Sequence, residues 1–76
     1  MELNVGDYVR IEPLSEAQKQ TYPYSWDFDM DKYIGNITKI TRISEGPRYR
    51  LECDDGRYVW SDSHLKHINP SSIILF

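Results

Sequence analysis

Gly35–Ile68, GNITKITRISEGPRYRLECDDGRYVWSDSHLKHI, is the stretch whose reading decides the fold. It reads as three consecutive antiparallel strands and a short closing strand. Asp55-Gly56 stands between two strand-like runs, and Asp-Gly is a preferred two-residue hairpin loop because both central residues must take positive φ. That turn sets Asp54 opposite Arg57, Cys53 opposite Tyr58, Glu52 opposite Val59, Leu51 opposite Trp60 and Arg50 opposite Ser61. Residues directly opposite share a face. One face is then Tyr49, Leu51, Cys53, Tyr58 and Trp60, and it should be the core face. The other is Arg50, Glu52, Asp54, Arg57 and Val59, with cross-strand charge pairs. A slip of one residue would expose the aromatics, so the register should be firm.

Before this hairpin, Ile37, Ile40 and Ile43 recur every three residues, which is not the period of a flat strand. Thr38, Thr41, the β-branched content and the Gly46-Pro47 breaker favour a strand over a helix, with a bulge or bend near 38–41 turning all three isoleucines inward. Past Trp60, Ser61 can cap one tight turn. Leu65-Lys66-His67-Ile68 follows as the last strand, ended by Asn69-Pro70.

Toward the N-terminus, Val9 and Ile11 alternate with Tyr8 and Arg10 in the period of a half-buried strand that Pro13 ends. Residues 14–34 make a connection longer than compact domains ordinarily use. Ser15 and Gln18 have capping-box spacing, which predicts a helical turn over 16–20. Pro23 stops it. The run Tyr22-Pro23-Tyr24-Ser25-Trp26-Asp27-Phe28 alternates aromatic with small or acidic residues. Asp29 is placed to cap a second short turn, with Met30, Tyr33 and Ile34 inward and Gly35 ending it.

The chain has 76 residues, enough for one small domain. A domain of this size buries roughly 60–65% of its unfolded surface, so its core is small. One cysteine rules out an internal disulfide and suggests a reducing, cytoplasmic setting. No leader or long apolar run is evident. The net charge is −3 with both signs interspersed, which argues against a nucleic-acid binder driven by the phosphate backbone. Six of the ten aromatic residues are tyrosine, a strand signal first and a recognition signal second.

A turn-led first strand, a long loop, three strands in two tight hairpins, a helical turn and a short last strand resemble an SH3-like small β-barrel. The expected fold is therefore all-β, a single barrel of about five antiparallel strands over 1–68, followed by an apolar tail over 69–76. Within 30–65, Met30-x-x-Tyr33-x-Gly35, Ile37 and Ile43, Tyr49-Arg50-Leu51, and Asp55-Gly56-x-Tyr58-x-Trp60-Ser61-Asp62-x-x-Leu65 carry a narrower likeness. They resemble a family of small, mostly uncharacterised proteins of bacteriophages and their bacterial hosts. They are more distantly similar to the MIB-type repeats of ubiquitin ligases, which bind substrate peptides. The resemblance implies a non-enzymatic interaction protein, a phage factor that binds and modulates a host protein. It does not extend to the Tyr-Pro-Tyr-Ser-Trp run or to the tail.

Candidate partner-binding residues are Tyr8, Tyr22, Tyr24, Trp26, Asp27, Arg50 and Arg57. The aromatic members either line a groove for an extended peptide or fill the core, as Phe28 and Trp60 are expected to do. Ile73, Ile74, Leu75 and Phe76 need cover, either on the barrel or in a homodimer. Lys39, Arg42, Arg48, Arg50 and Arg57 carry the alternative, a nucleic-acid-binding barrel in which bases stack on Tyr8 or Tyr49. Asp27-Phe28-Asp29-Met30-Asp31 opens like a calcium loop, but Lys32 and Thr38 stand where such a loop needs glycine and glutamate, so it reads as a solvated acidic loop. His64, His67 and Cys53 make no zinc set, because a second ligand pair is missing. Cys53 reads as a small buried hydrophobe. Ser61-Asp62-Ser63-His64 contains the letters of a triad, but adjacency is not triad geometry. No nucleophile–base pair is placed, so neither an enzyme nor a cofactor is expected.

Overall fold

Val9 and Ile11 are fully buried and Tyr8 and Arg10 half-buried, the alternation that makes Tyr8–Ile11 the first strand, β1. In the computed structural model, which describes residues 3–69, β1 is followed by α1 (Glu16–Gln20) and a 3-10 turn over Phe28–Tyr33. Then come β2 (Ile37–Ser44), β3 (Arg48–Leu51) and β4 (Leu65–Ile68), with shorter 3-10 turns at Glu52–Asp54 and Asp62–His64. The four strands form one antiparallel sheet in the order β3-β2-β1-β4. Among the described residues no helix is long and apolar enough to cross a membrane. The expected interface at Ile73, Ile74, Leu75 and Phe76 lies outside the described residues.

The bend in β2 is a one-residue bulge. Ile40 pairs with Leu51, but Arg42 pairs with Arg50, so Thr41 is the extra residue. Its hydroxyl donates to Arg50 O at 3.2 Å. The bulge converts a three-residue spacing into one face, keeping Ile43 on the side of Ile40. The rule stops there: Ile37 is 48% exposed, and buried Thr38 takes the inward position instead. Thr38 Oγ1 accepts the Cys53 N–H at 2.9 Å, so its polar atom is satisfied.

The expected hairpin after β3 forms at its tip and not along its arms. Asp55 and Gly56 both take positive φ, 56° and 74°, and Arg57 N–H closes the turn on Asp54 O at 3.1 Å. The residues before them, however, coil into the 3-10 turn Glu52–Asp54. Pairing resumes only at Tyr49 and Trp60, which exchange N–H···O bonds of 3.0 and 2.9 Å. The fifth strand thus shrinks to one bridge, and Trp60 lies opposite Tyr49 rather than Leu51. The expected register is therefore not kept: it is displaced by two residues, an even step that leaves the facing unchanged, and Tyr49, Leu51 and Trp60 all remain buried. Trp60 and Tyr58 both pack on Tyr33, with centroids 6.3 Å away in each case, so the two rings lie on one side.

Asp54 is the cause. Placed on the outer face by simple alternation, it is buried instead. Its Oδ1 accepts Gly56 N–H at 3.0 Å, and its Oδ2 accepts Tyr58 N–H at 3.1 Å and the Trp60 indole Nε1–H at 2.9 Å. A side-chain acceptor that takes strand N–H groups competes with the ladder. The proposed charge pairs are absent as well. Among the described residues Arg50 and Arg57 make no ion pair. Arg50 Nη1 donates to Gly56 O at 3.0 Å and to Arg57 O at 3.4 Å, bracing the turn.

Candidate functional site

The long connection builds its own small layer against the sheet. Ser15 caps α1: its Oγ accepts Gln18 N–H at 3.1 Å, while Gln18 Oε1 accepts Ser15 N–H at 2.8 Å. The 3-10 turn Phe28–Tyr33 starts at Asp27, not at Asp29, with Asp27 Oδ1 accepting Asp29 N–H at 2.8 Å. In a 3-10 turn, residues three apart eclipse. Met30 and Tyr33 therefore face the core, and Phe28 and Asp31 share a different side.

Tyr22 locks this layer down. It is buried, and its hydroxyl oxygen accepts Ser61 N–H at 2.6 Å and lies 2.7 Å from His64 Nε2. His64 Nδ1 is 3.3 Å from Glu12 O. A carbonyl only accepts, so Nδ1 carries the proton and Nε2 accepts from the tyrosine. Burial pushes the Tyr22 phenol up to about 12. Burial also lowers the His64 value, opposed by the hydrogen bond to Glu12. Trp26 leans on this pair, 5.2 Å from Tyr22, 5.8 Å from His64 and 5.8 Å from Trp60 by centroids.

This arrangement makes a pH prediction. The folded His64 value lies below its ordinary 6.5, so the unfolded chain binds a proton that the folded chain refuses. The resulting stability is complete above the ordinary value and is lost as the pH falls toward the folded one. Glu12, held down first by its hydrogen bond from Arg10, and Asp31, held down first by Lys19, act only below their ordinary 4.5 and 3.8. Thermal unfolding followed from pH 7 to 5, a range set by the ordinary histidine value, should show a falling Tm. His64→Gln should flatten that slope; a slope that survives the substitution assigns the proton to another group.

Between α1 and the 3-10 turn lies a groove of about 510 Å³, lined by Glu16, Lys19, Gln20, Tyr22, Ser25, Trp26, Phe28 and Asp31. Half-buried Trp26 contributes to its wall, and its Nε1–H donates to Asp31 Oδ1 at 2.8 Å. Lys19 Nζ reaches the same carboxylate at 3.0 Å. Phe28, expected in the core, is 84% exposed. A phenylalanine held out of the core on a capped turn is the most unusual apolar placement among the described residues, since solvation alone would bury it.

The seven proposed binding residues do not converge. Tyr22 and Trp26 meet in the groove, Tyr22 as buried wall. Asp27 acts as a cap. Tyr24 leaves for the β2–β3 turn, where its hydroxyl donates to Pro47 O at 2.7 Å and Arg48 lies 5.7 Å over its ring. Gly46 makes room for this contact, because a Cβ there would come within 3.0 Å of Tyr24 Oη. Tyr8 stands half-buried on β1, paired in register with Lys39 and Ile68. Arg50 braces the turn, and Arg57 lines a second cavity of about 530 Å³ with Tyr33, Cys53, Asp54 and Asp55. Cys53 is half-buried rather than buried, and burial raises its thiol value, which disfavours the nucleophilic thiolate. His67 lies 3.8 Å from Asp7, and no group of three or more His, Cys, Asp or Glu among the described residues is arranged to hold a metal.

The sequence does not single out Lys19, Phe28, Asp31 or His64 as partner-binding residues. The eclipsed spacing of Phe28 and Asp31 was the available signal for two of them. Comparison of the chain with models of protein families, with curated proteins and with solved structures finds no match.

Proposed function

We propose that the chain is a non-enzymatic protein-interaction module on an SH3-like barrel, and that its docking surface is the groove between α1 and the Phe28–Tyr33 turn. The bulged β2, the strand order and the closing bridge between Tyr49 and Trp60 support the barrel reading. Phe28 carries the functional one. It is 84% exposed beside an indole-lined groove, on a turn whose backbone is capped at Asp27. Interfaces are anchored by a few aromatic side chains in such settings. On this reading the partner is a protein of a bacterial host, as a resemblance to small phage proteins implies.

Phe28→Ser tests this reading more cleanly than Trp26→Ala, because Trp26 packs on Tyr22, Trp60 and His64 and its loss would damage the fold. Phe28→Ser should leave stability within about 0.5 kcal/mol, the usual range for an exposed position. It should abolish retention of whichever host proteins the wild-type chain captures, scored by mass spectrometry of paired pull-downs. Identical capture profiles for the two baits would remove the groove from consideration.

A further inference from the structure

One cation already sits in this groove. Lys19 Nζ lies 5.7 Å from the Trp26 ring centroid and 3.0 Å from Asp31 Oδ1, and the lysine side chain is only 17% exposed. The elements of a cation seat are thus present together: an indole face, a carboxylate beside it, and a largely covered position for the charged side chain between them. Asp31 is well suited to it. Hydrogen bonds from Lys19 and then from the Trp26 indole keep its carboxyl below the usual range, so it stays charged.

The surrounding charge favours a second cation over an anion. Residues 16–31 contain Glu16, Asp27, Asp29 and Asp31 against Lys19 alone, a net charge of −3. The eight acids and eight bases in the rest of the chain cancel, so the whole net charge of the protein is concentrated in the segment that lines the groove. Lys32, next along the chain, is engaged over the Tyr33 ring at 5.3 Å. Asp27 and Asp29 have no ion-pair partner among the described residues.

We infer that the groove takes an extended peptide segment carrying an arginine beside an apolar residue, the guanidinium replacing the Lys19 ammonium on Trp26 and Asp31 while the apolar neighbour packs on Phe28. The inference rests on the groove being a docking surface. Arginine can displace lysine here for a physical reason. Its planar fork meets a carboxylate through two parallel hydrogen bonds and stacks on an aromatic face, and it is less strongly hydrated than an ammonium. The displaced Lys19 recovers its hydration in the solvent. Lys19 is then a built-in competitor that suppresses weak cationic ligands.

The probe is a peptide selected from an unbiased display library on the wild-type chain and counter-selected on Phe28→Ser. The expected peptides share an arginine next to an apolar residue. Replacing that arginine with citrulline, which keeps the shape and removes the charge, should weaken binding about tenfold or more, the effect of losing a hydrogen bond to a charged group. Binding should shift the Trp26 indole N–H resonance, and Lys19→Ala should tighten it. Phe28-dependent peptides without a basic residue, or Lys19→Ala binding no tighter, would overturn the inference and leave the docking surface standing. No enrichment over Phe28→Ser would overturn both.

Discussion

Asp54→Ala should cost about 2–6 kcal/mol, because it leaves one buried and one part-buried N–H donor without partners at about 1–3 kcal/mol each. The donors are Tyr58 N–H and the indole of fully buried Trp60, both held by Asp54 Oδ2. Gly56 N–H suffers less, since it also reaches Leu51 O at 3.1 Å. A domain of this length has a total stability of roughly 4–11 kcal/mol, so the loss removes a large part of it. Asp54→Asn should cost less, since one amide oxygen at the Oδ2 position still accepts both donors; its NH₂ would then face the Gly56 N–H. Urea unfolding at neutral pH checks the order wild type, Asn, Ala. Equal midpoints for wild type and Asp54→Ala would mean that the ladder, not the carboxyl group, holds residues 52–60.

Tyr22→Phe is the second large effect, expected at about 2–4 kcal/mol from two groups orphaned at once. Ser61 N–H loses its acceptor, and His64 Nε2 loses its donor. The ring and its packing against Trp26 remain, so the cost measures the hydroxyl alone. Because Tyr22 and His64 share one bond, the double variant Tyr22→Phe/His64→Leu should cost less than the two single changes added together. Strict additivity would show that the hydroxyl and the imidazole act independently. Since Tyr22 fastens the long connection to the end of β1 and the start of β4, Tyr22→Phe should also weaken any ligand held between Trp26 and Phe28.

The parts of this fold legible in the chain are those governed by neighbours in sequence. The Ser15–Gln18 capping box, the Ser61 cap, the positive φ at Asp55 and Gly56, and the bulge implied by the spacing of Ile37, Ile40 and Ile43 all occur. Each is a choice made within a few residues, where side-chain hydrogen bonding and backbone sterics dominate. The site was less legible. For Tyr22 and Trp26 the sequence leaves groove lining and core filling both open; Tyr22 is buried and Trp26 half-buried. Tyr24, Asp27 and Arg50 were drawn into capping and bracing, where neutral or charged groups satisfy nearby backbone. Phe28 reads from the sequence as core, because large apolar side chains usually go there, and it is exposed.

Alternation and turn chemistry therefore carry the strands, the short helices and the inward face that holds Tyr49, Leu51 and Trp60. They also carry the parity of that face, which an even displacement leaves intact. What no local pattern contains is where a buried polar group finds its partner. His64 meets Tyr22 across 42 positions, and Thr38 meets Cys53 across 15. Asp54 takes two backbone N–H groups and the indole of Trp60, whose burial leaves it no water to bond. Those pairings are made only once the chain has closed on itself, and those of Asp54 keep the second hairpin from forming as a full ladder.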